Sequence, residues 1–531
     1  MPKNRYQPPD RLVGATDFSK RPDLCGSVNV VRLVKSQPWA WDELRKACEL
    51  EIKWARKRKP GHWDLAAVAF VVSGQVDVQP WYHETTDELW RECGFNRKPS
   101  ESTAQRRLHE LEKVADKFLE AAGRIIQRCR MHDPRVMAHV HFDWTEDETH
   151  AALVHDCGPN DPCKRRSWSK SSRRRWGRNS APRAPRAPTS VAREHREAWN
   201  EEEPAEAEQH AHEAEPDATE ALTRGKRVKV GGCWYRTRDE EAGVRAYTSN
   251  GRLRRFWHGY YSGKAVDHYT SGVIPSVDSA STVECHLFPR LYDRVSVMAG
   301  RRPDTAIADK GLAVSTCYEH ATRNDTAPVF PWRGGPRYDS TRFDRHGVKR
   351  CDHCGGVMYM TRFSANGGRP RMWFRCTFQL TPACAGEQTI SCGEDWRVLI
   401  PLPRSNALYH ELKESHQQYE GAHDYWRDRY KVAADTLANR PKGVGLDWHR
   451  LRANVACFVD WMRIAAKAGW LGSTRAARRH SGVRRKKKAG REAAMSVAKT
   501  RARAGLYTPY GPGAKKTGTG HETPPRPRPP G

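Results

Sequence analysis

Between residues 158 and 226 this chain carries sequence that cannot pack, and the position of that segment governs what can fold around it. A basic block, KRRSWSKSSRRRWGR, runs through APRAPRAP into an acidic block, EEEPAEAEQHAHEAEPDATEA. Opposite charge blocks about a Pro/Ala spacer offer no apolar face, so 158–226 is expected to be a disordered charged linker. Any core must then be assembled from sequence on both sides of it. A second segment of this kind closes the chain. From 471 to 531 there are sixteen Lys or Arg against two Glu, including Arg484-Arg485-Lys486-Lys487-Lys488, before the ending HETPPRPRPPG. That composition predicts a disordered basic tail.

The whole chain has a net charge of +29 with only 37% hydrophobic residues. Its natural partner is a polyanion. Nucleic acid gains by counterion release, whereas a membrane surface needs an amphipathic apolar face that the tail lacks. No stretch approaches the ~18–20 apolar residues that span a bilayer, and the start of the chain has no apolar signal region. These features set aside membrane and secreted classes and predict a cytoplasmic, nucleoid-associated protein. The fifteen cysteines are too sparse for a disulfide scaffold, but five fall between 351 and 392. In a reducing compartment such clustering points to metal ligation.

Residues 37–131 read as helical. Asp64–Val72 is a buried helix and Thr86–Cys93 a short one. A long basic helix follows, with Ser102 and Gln105 as a capping box and Leu108, Leu111, Phe118, Ala122, Ile125 and Ile126 at helical spacing. Short helices before a long basic one suit helix-turn-helix DNA binding, or an ordinary bundle. The period then changes to two. Val136, Ala138, Val140 and Phe142 form one face of a strand ending at Asp143, with 144–148 turning into a hairpin partner at Thr149–His155. Beyond the linker, strands are expected at Gly232–Arg238 and Arg254–Gly263 and a helix near Ser279–Leu291. A short strand from Asp304 then delivers Asp309, and a helix around Tyr318 and a strand from Ala327 follow. Ser405–Leu437 reads as a long polar helix and Trp448–Ala468 as a second. Strands interleaved with helices predict an α/β core.

The cysteine segment opens with Cys351-Asp-His-Cys354-Gly-Gly, a zinc-knuckle turn whose glycines let backbone amides approach the thiolates. A second pair about twenty residues on would complete a tetrahedral ribbon around one structural Zn²⁺, with no coordination position left open. That pair is open among Cys376, Cys384 and Cys392, with Cys376 and Cys384 taken as the candidate ligands and His353 a poorer donor.

Asp143 and Asp309 each end a predicted strand, and Glu420 lies in the long polar helix. In α/β sheets functional side chains gather at the carboxyl ends of strands. Carboxylates converging there suit Mg²⁺ or Mn²⁺, and two such ions about 3.5–4 Å apart serve in-line phosphoryl displacement. Three segments carry these acids: Phe142-Asp143-Trp144-Thr145, Ile307-Ala308-Asp309-Lys310-Gly311, and the run from Tyr419-Glu420 to Arg427-Asp428-Arg429-Tyr430. In that order they resemble the signature blocks of DDE transposases from bacterial insertion sequences. Arg440-Pro-Lys-Gly and Leu451-Arg-Ala-Asn-Val-Ala are similar to the family's closing region, and Asn96–Leu108 to its N-terminal DNA-binding segments. Leu312 stands where the family usually has Tyr.

The resemblance implies a ribonuclease-H-like core, a mixed sheet with flanking helices. The first Asp of such a core ends the first strand, the second Asp ends the fourth, and the Glu sits on a following helix. It makes Asp143, Asp309 and Glu420 the catalytic ligands of two Mg²⁺ (or Mn²⁺) ions. It gives DNA contacts to Arg97, Arg106, Arg107, Lys310, Arg427 and Arg429, with Arg427 seven positions after the Glu. The expected partner is double-stranded DNA, as element ends and target, bound by a homodimer assembled on it. The expected organisation is a helical DNA-binding region (1–135), a core in two parts (136–157 and 227–344) around the linker (158–226), a zinc-ribbon insertion (345–400), the core's C-terminal helices (401–470) and the tail (471–531). The expected function is a transposase that cleaves DNA strands and transfers them. The alternatives are a catalytically silent DNA-binding descendant, or a zinc-ribbon transcription factor.

Two further expectations concern geometry. On one continuous helix Glu420 and Asp424 share a face, Glu414 lies about 240° away, and Arg427 falls about 20° from alignment with Glu420. Aromatic residues interleave with arginines at Trp168, Trp176, Trp234 and 254–258, where they could stack on bases. Trp144, beside Asp143, is the first such position to test.

Overall fold

The computed structural model describes residues 24–51, 61–148, 154–155, 227–230, 233–236, 239, 241–249, 252–331, 343–344, 348–364, 371–391, 396–398, 402, 404, 406–419, 421–432 and 445–471. The 158–226 linker and the tail beyond 471 lie outside the described residues.

The chain enters through helices α1 (Ser27–Lys35), α2 (Pro38–Glu51), α3 (Trp63–Ser73), α4 (Val78–Glu84), α5 (Asp87–Glu92), α6 (Glu101–Glu110) and α7 (Ala115–His132). The stretch expected to be one long basic helix is divided. Its N-cap is Ser100, whose hydroxyl bonds the Thr103 hydroxyl at 2.8 Å, and Gln105 reaches back to Glu101 rather than closing a capping box on Ser102. A 3₁₀ turn, Leu111–Val114, separates α6 from α7. Residues three apart eclipse in such a turn, so both Leu111 and Val114 face inward.

The central sheet joins β1 (His139–Glu148), β5 (Gly243–Ser249), β6 (Arg252–Asp267), β7 (Val273–Ser279), β8 (Thr305–Ala308) and β9 (Ala327–Val329). β6 runs antiparallel to β1 on one side and to β5 and β7, one after the other, on its far side. β1 also pairs in parallel with β8, and β8 in parallel with β9. The sheet is therefore mixed, with an antiparallel half and a parallel half meeting at β1.

Two strand expectations need correcting. β1 does not stop at Asp143, because the long β6 supplies a ladder as far as Glu148↔Gly259, beyond the reach of β8. Its antiparallel partner is β6, not 149–155. β2 (Val154–His155) pairs instead with β4 (Cys233–Arg236), which pairs with β3 (Arg227–Val230) in a separate sheet.

The two faces of β1 are covered differently. Phe142 packs its ring against Phe288 and Tyr292 of α8 (Glu284–Ala299). On the other face His141 meets α10 (Ala407–Tyr419), and Asp147 meets α12 (Leu446–Lys467). α9 (Ser315–Arg323) links β8 to β9, and α11 (Gly421–Tyr430) precedes α12. Gly263 faces Trp144 across the β1–β6 ladder, where an added Cβ would come within 2.5 Å of the indole nitrogen. A third sheet, β10 (Met358–Ser364), β11 (Arg371–Cys376) and β12 (Gln388–Ser391), is inserted between β9 and α10. Among the described residues no helix is long and apolar enough to cross a membrane.

α12 is buried on every side from Leu451 to Ala465, not along one apolar face as its sequence pattern suggests. It lies between the N-terminal helices and the sheet, and its polar residues are spent on both. Arg452 donates to Tyr430 O and Gln75 O, Asn454 to Ala115 O, Arg463 to Leu24 O, and Trp461 to Val273 O. Asp460 accepts from Trp426 Nε1 at 3.0 Å and from the Tyr430 hydroxyl at 2.5 Å, and that hydroxyl accepts from Arg463. Asp460→Ala would strand two donors and a buried guanidinium, which costs about 3–5 kcal/mol. The urea midpoint of the variant should fall accordingly, and an unchanged midpoint would show that the network contributes nothing.

Candidate active site and cysteine cluster

Asp143 and Asp309 emerge side by side. The parallel register of β1 and β8 ends at Phe142↔Ala308, so the two aspartates are the next residues on adjacent strands, where neighbours lie about 4.8 Å apart. Asp143 is half-buried, and its carboxylate accepts from the Trp144 N–H at 2.9 Å. Asp309 accepts from the Gly311 N–H at 2.8 Å and so shapes the 3₁₀ turn Lys310–Leu312. The Asp309 residue is exposed, but its carboxyl is ringed by protein atoms. That crowding, and then the Asp143 charge, raise its pKa, against the opposing pull of His416 and the Gly311 and Leu312 amides. Gly311 lies close to both carboxylates: an added Cβ would meet Glu284 Oε2 at 2.7 Å and Asp309 Oδ1 at 3.1 Å.

The face that Asp143 shares holds an unusual set of buried polar groups. Lys264 is the cross-strand partner of Asp143, is fully buried, and approaches the Trp426 ring of α11 at 5.6 Å. Burial and the Arg427 charge lower its pKa to about 7, while Asp143, Asp147 and Asp424 pull the other way. Two residues before Asp143, His141 bonds His268 Nδ1 at 3.0 Å and His416 Nδ1 at 3.2 Å. The Tyr419 ring stacks on His141 with centroids 3.8 Å apart, and its hydroxyl donates to His268 O. α10 is thus anchored against the face of β1 that carries Asp143. Periodicity gave no signal for Lys264, His268 or His416, because a charged residue in a strand reads as solvent-facing until the covering helix is known.

Glu420 lies outside the described residues. The described helices α10 and α11 reach Tyr419 on one side of it and Gly421 on the other, so the face arithmetic turns on a position outside the described residues. Glu414 is exposed, and Asp424 pairs with Arg427 at 3.0 Å. Glu284, the first residue of α8, is an acid that the sequence pattern did not single out. It stands by Gly311 and accepts a hydrogen bond from the Tyr261 hydroxyl. A carboxylate at a helix start is normally a first-turn residue favoured by the helix dipole, so nothing in the sequence marked it.

The basic positions divide. Arg97, Arg106 and Lys310 are exposed, and Arg427 and Arg429 half-buried. Arg107 is buried and paired with Glu110, so it braces α6 and offers no cation to a DNA phosphate. Trp144 is buried over Gly263 and unavailable to a base, because β1 continues past it and places its ring inside. The side chains of Trp168, Trp176, Trp234 and 254–257 lie outside the described residues.

The second centre is built from Cys351, Cys354, Cys376 and Cys384, whose sulfurs all lie within 4.8 Å of one another. Cys351 and Cys384 are 3.8 Å apart and Cys354 and Cys376 3.4 Å apart. Four thiolates around Zn²⁺ at about 2.3 Å would make a tetrahedron with edges of about 3.8 Å, so the donor set fits zinc. The knuckle turns as expected: Gly355 adopts φ 70°, its N–H meets Cys351 O, and the Cys351 N–H meets Gly356 O. At the other knuckle the Gln379 N–H points at Cys376 Sγ, and Thr381 Oγ1 lies 3.0 Å from Cys384 Sγ. His353 is not in the cluster, and Cys392 lies outside the described residues. Among the described residues these four cysteines are the group able to hold a metal ion. Comparison of the chain with family models, with curated proteins and with solved structures found no match.

Proposed function

We propose that this protein is a DDE-type transposase, a divalent-metal-dependent phosphoryl-transfer enzyme acting on double-stranded DNA. The observation that carries the reading is that Asp143, within β1 at the point where its parallel pairing with β8 ends, stands beside Asp309, the residue that follows β8. Counted along the chain without the added β5, the strands of the sheet are β1, β6, β7, β8 and β9. Asp143 is then on the first, short of its end, and Asp309 follows the fourth, an order that supports a ribonuclease-H-like core. Helices cover both faces, and a helix pair bearing Tyr419 and Arg427 closes over the first aspartate.

Asp143 and Asp309, with Glu420 as third ligand, would hold two Mg²⁺ or Mn²⁺ ions. Such ions, when bound, supply an activated water or 3′-hydroxyl and stabilise the leaving oxygen. The chain's own residues do the rest. Lys264 offsets the carboxylate charge from beneath, the His141–His416 contact fixes α10 against β1, and Lys310, Arg427 and Arg429 meet the DNA backbone. Element ends would be gripped by Arg106 of α6 and by Arg97 in the loop before it, in a homodimer formed on DNA. Purified protein with Mg²⁺ and duplexes from the inverted repeats flanking its gene should nick at the element boundary. Binding without nicking under any divalent metal would identify a silent descendant instead.

The tail gives a separate test of the partner. Deleting 471–531 should weaken binding to every duplex alike and reduce the salt slope of log K by about 0.9 for each phosphate no longer neutralised. An unchanged slope would make the tail a bystander.

A further inference from the structure

We infer that the outer face of the β10–β11–β12 sheet is a binding surface for single-stranded DNA, with Trp373 as the platform on which an unpaired base stacks. The sheet has two unlike faces. Met358, Met360, Met372, Phe374, Cys376 and Ile390 are buried on one side. The other side shows Tyr359, Arg362, Arg371, Trp373 and Arg375, brought together by register: Tyr359↔Arg375, Arg362↔Trp373 and Arg371↔Ser391. A register shift between Met360 and Arg362 turns Arg362 outward, and its guanidinium lies 3.7 Å from the Trp373 ring centroid.

This is a surface of one sign. Arg362, Arg371 and Arg375 are exposed, and the acid beside them, Glu387, is engaged by Arg375 at 3.6 Å and by the Thr361 hydroxyl. Along β11 the order is Arg371, Trp373, Arg375, one residue every second position, or about 6.8 Å. Cation, aromatic, cation at that interval is a track for phosphate, base, phosphate. A duplex keeps its bases stacked on each other, so a flat aromatic platform selects unpaired nucleotides, and it does so without base preference. The rigid support is the cysteine cluster, which ties the end of β11 to the knuckle before β10. DNA strands separated or frayed during end processing are the occupant whose chemistry fits.

The inference shares only the DNA partner with the function proposed above, and its test reads binding without cleavage, so either reading can fail alone. Full-length, zinc-loaded protein is titrated with a labelled thymidine oligomer and with a duplex of the same length. Trp373→Ala should weaken the single strand by about 5- to 150-fold, the equivalent of about 1–3 kcal/mol per stacked base, and leave the duplex affinity unchanged. Arg362→Gln, at an exposed position, should lower the single-strand salt slope by about 0.7 with zinc content retained. A 4-thiothymidine oligomer should crosslink to the peptide spanning 371–376. Unchanged single-strand affinity in Trp373→Ala with zinc content retained would overturn the inference. So would an equal loss on duplex, or crosslinks confined to other segments.

Discussion

Asp143→Asn and Asp309→Asn should each abolish metal-dependent strand cleavage, a fall of at least about 10³-fold, while duplex binding and the fold survive. Each carboxylate would ligate a metal whose charge stabilisation is worth several kcal/mol, and about 4 kcal/mol is three decades in rate. Asparagine keeps the acceptor oxygen that Asp143 offers to the Trp144 N–H and that Asp309 offers to the Gly311 N–H. The substitutions therefore remove charge without removing local structure. For Asp309 the sign of the stability change can also be worked out. Its pKa is raised in the folded protein, first by crowding and then by Asp143. A raised carboxyl contributes stability below its unfolded pKa, which is lost as pH rises through the folded value. At neutral pH Asp309→Asn should thus unfold no earlier than the parent, and the parent should regain ground as the solution is acidified. Full cleavage by either variant would sink the active-site assignment.

The third carboxylate is decided by the same assay. Glu420→Gln should be inactive, and Asp424→Asn and Glu284→Gln active. If Glu420→Gln cleaves and Glu284→Gln does not, the ligand comes from the start of α8, beside Gly311. If Asp424→Asn alone is dead, it comes from α11, where Asp424 now pairs with Arg427.

What the sequence revealed follows from the range over which each signal acts. The C-x₂-C pair Cys351 and Cys354 was legible because zinc imposes spacing on residues close in the chain, while the second pair stayed open among three cysteines, of which Cys376 and Cys384 converge on the first pair. The apolar run Thr305–Ala308 and the step to Asp309 were legible for the same local reason. The length of β1 was not, because its outer half is held by β6, more than a hundred residues on and across the linker. Nor could periodicity show that α12 is buried on all sides, since Arg452, Asn454, Asp460 and Arg463 count as polar until their partners are seen. Trp144 misled for a related reason: alternation places it inside only if the strand continues. Lys264 and His416 were invisible because a buried cation or imidazole is set by what covers it.

Removing the cysteine-bound metal should loosen 348–391 before any other part of the described fold. One zinc per chain is expected, lost from Cys351→Ser, Cys354→Ser, Cys376→Ser and Cys384→Ser but kept by Cys392→Ser. The physical case is the size of the inserted sheet. Its buried face is little more than Met358, Met360, Met372, Phe374 and Ile390. Ordering each residue costs about 1–2 kcal/mol, more than so small a core can offset. A structural zinc supplies about 10–16 kcal/mol of apparent binding energy at neutral pH, a large addition to what that core contributes. Chelation should therefore raise amide exchange across β10, β11 and β12, while α7, α12 and the central sheet stay protected by their shared core. Single-strand binding at Trp373 should be lost in the same step, and cleavage by Asp143 and Asp309 should persist, because the two centres sit on separate sheets. Metal analysis without zinc would remove the claim. So would exchange that rises first in α12, which would mean that the cysteines brace the core and not the insertion.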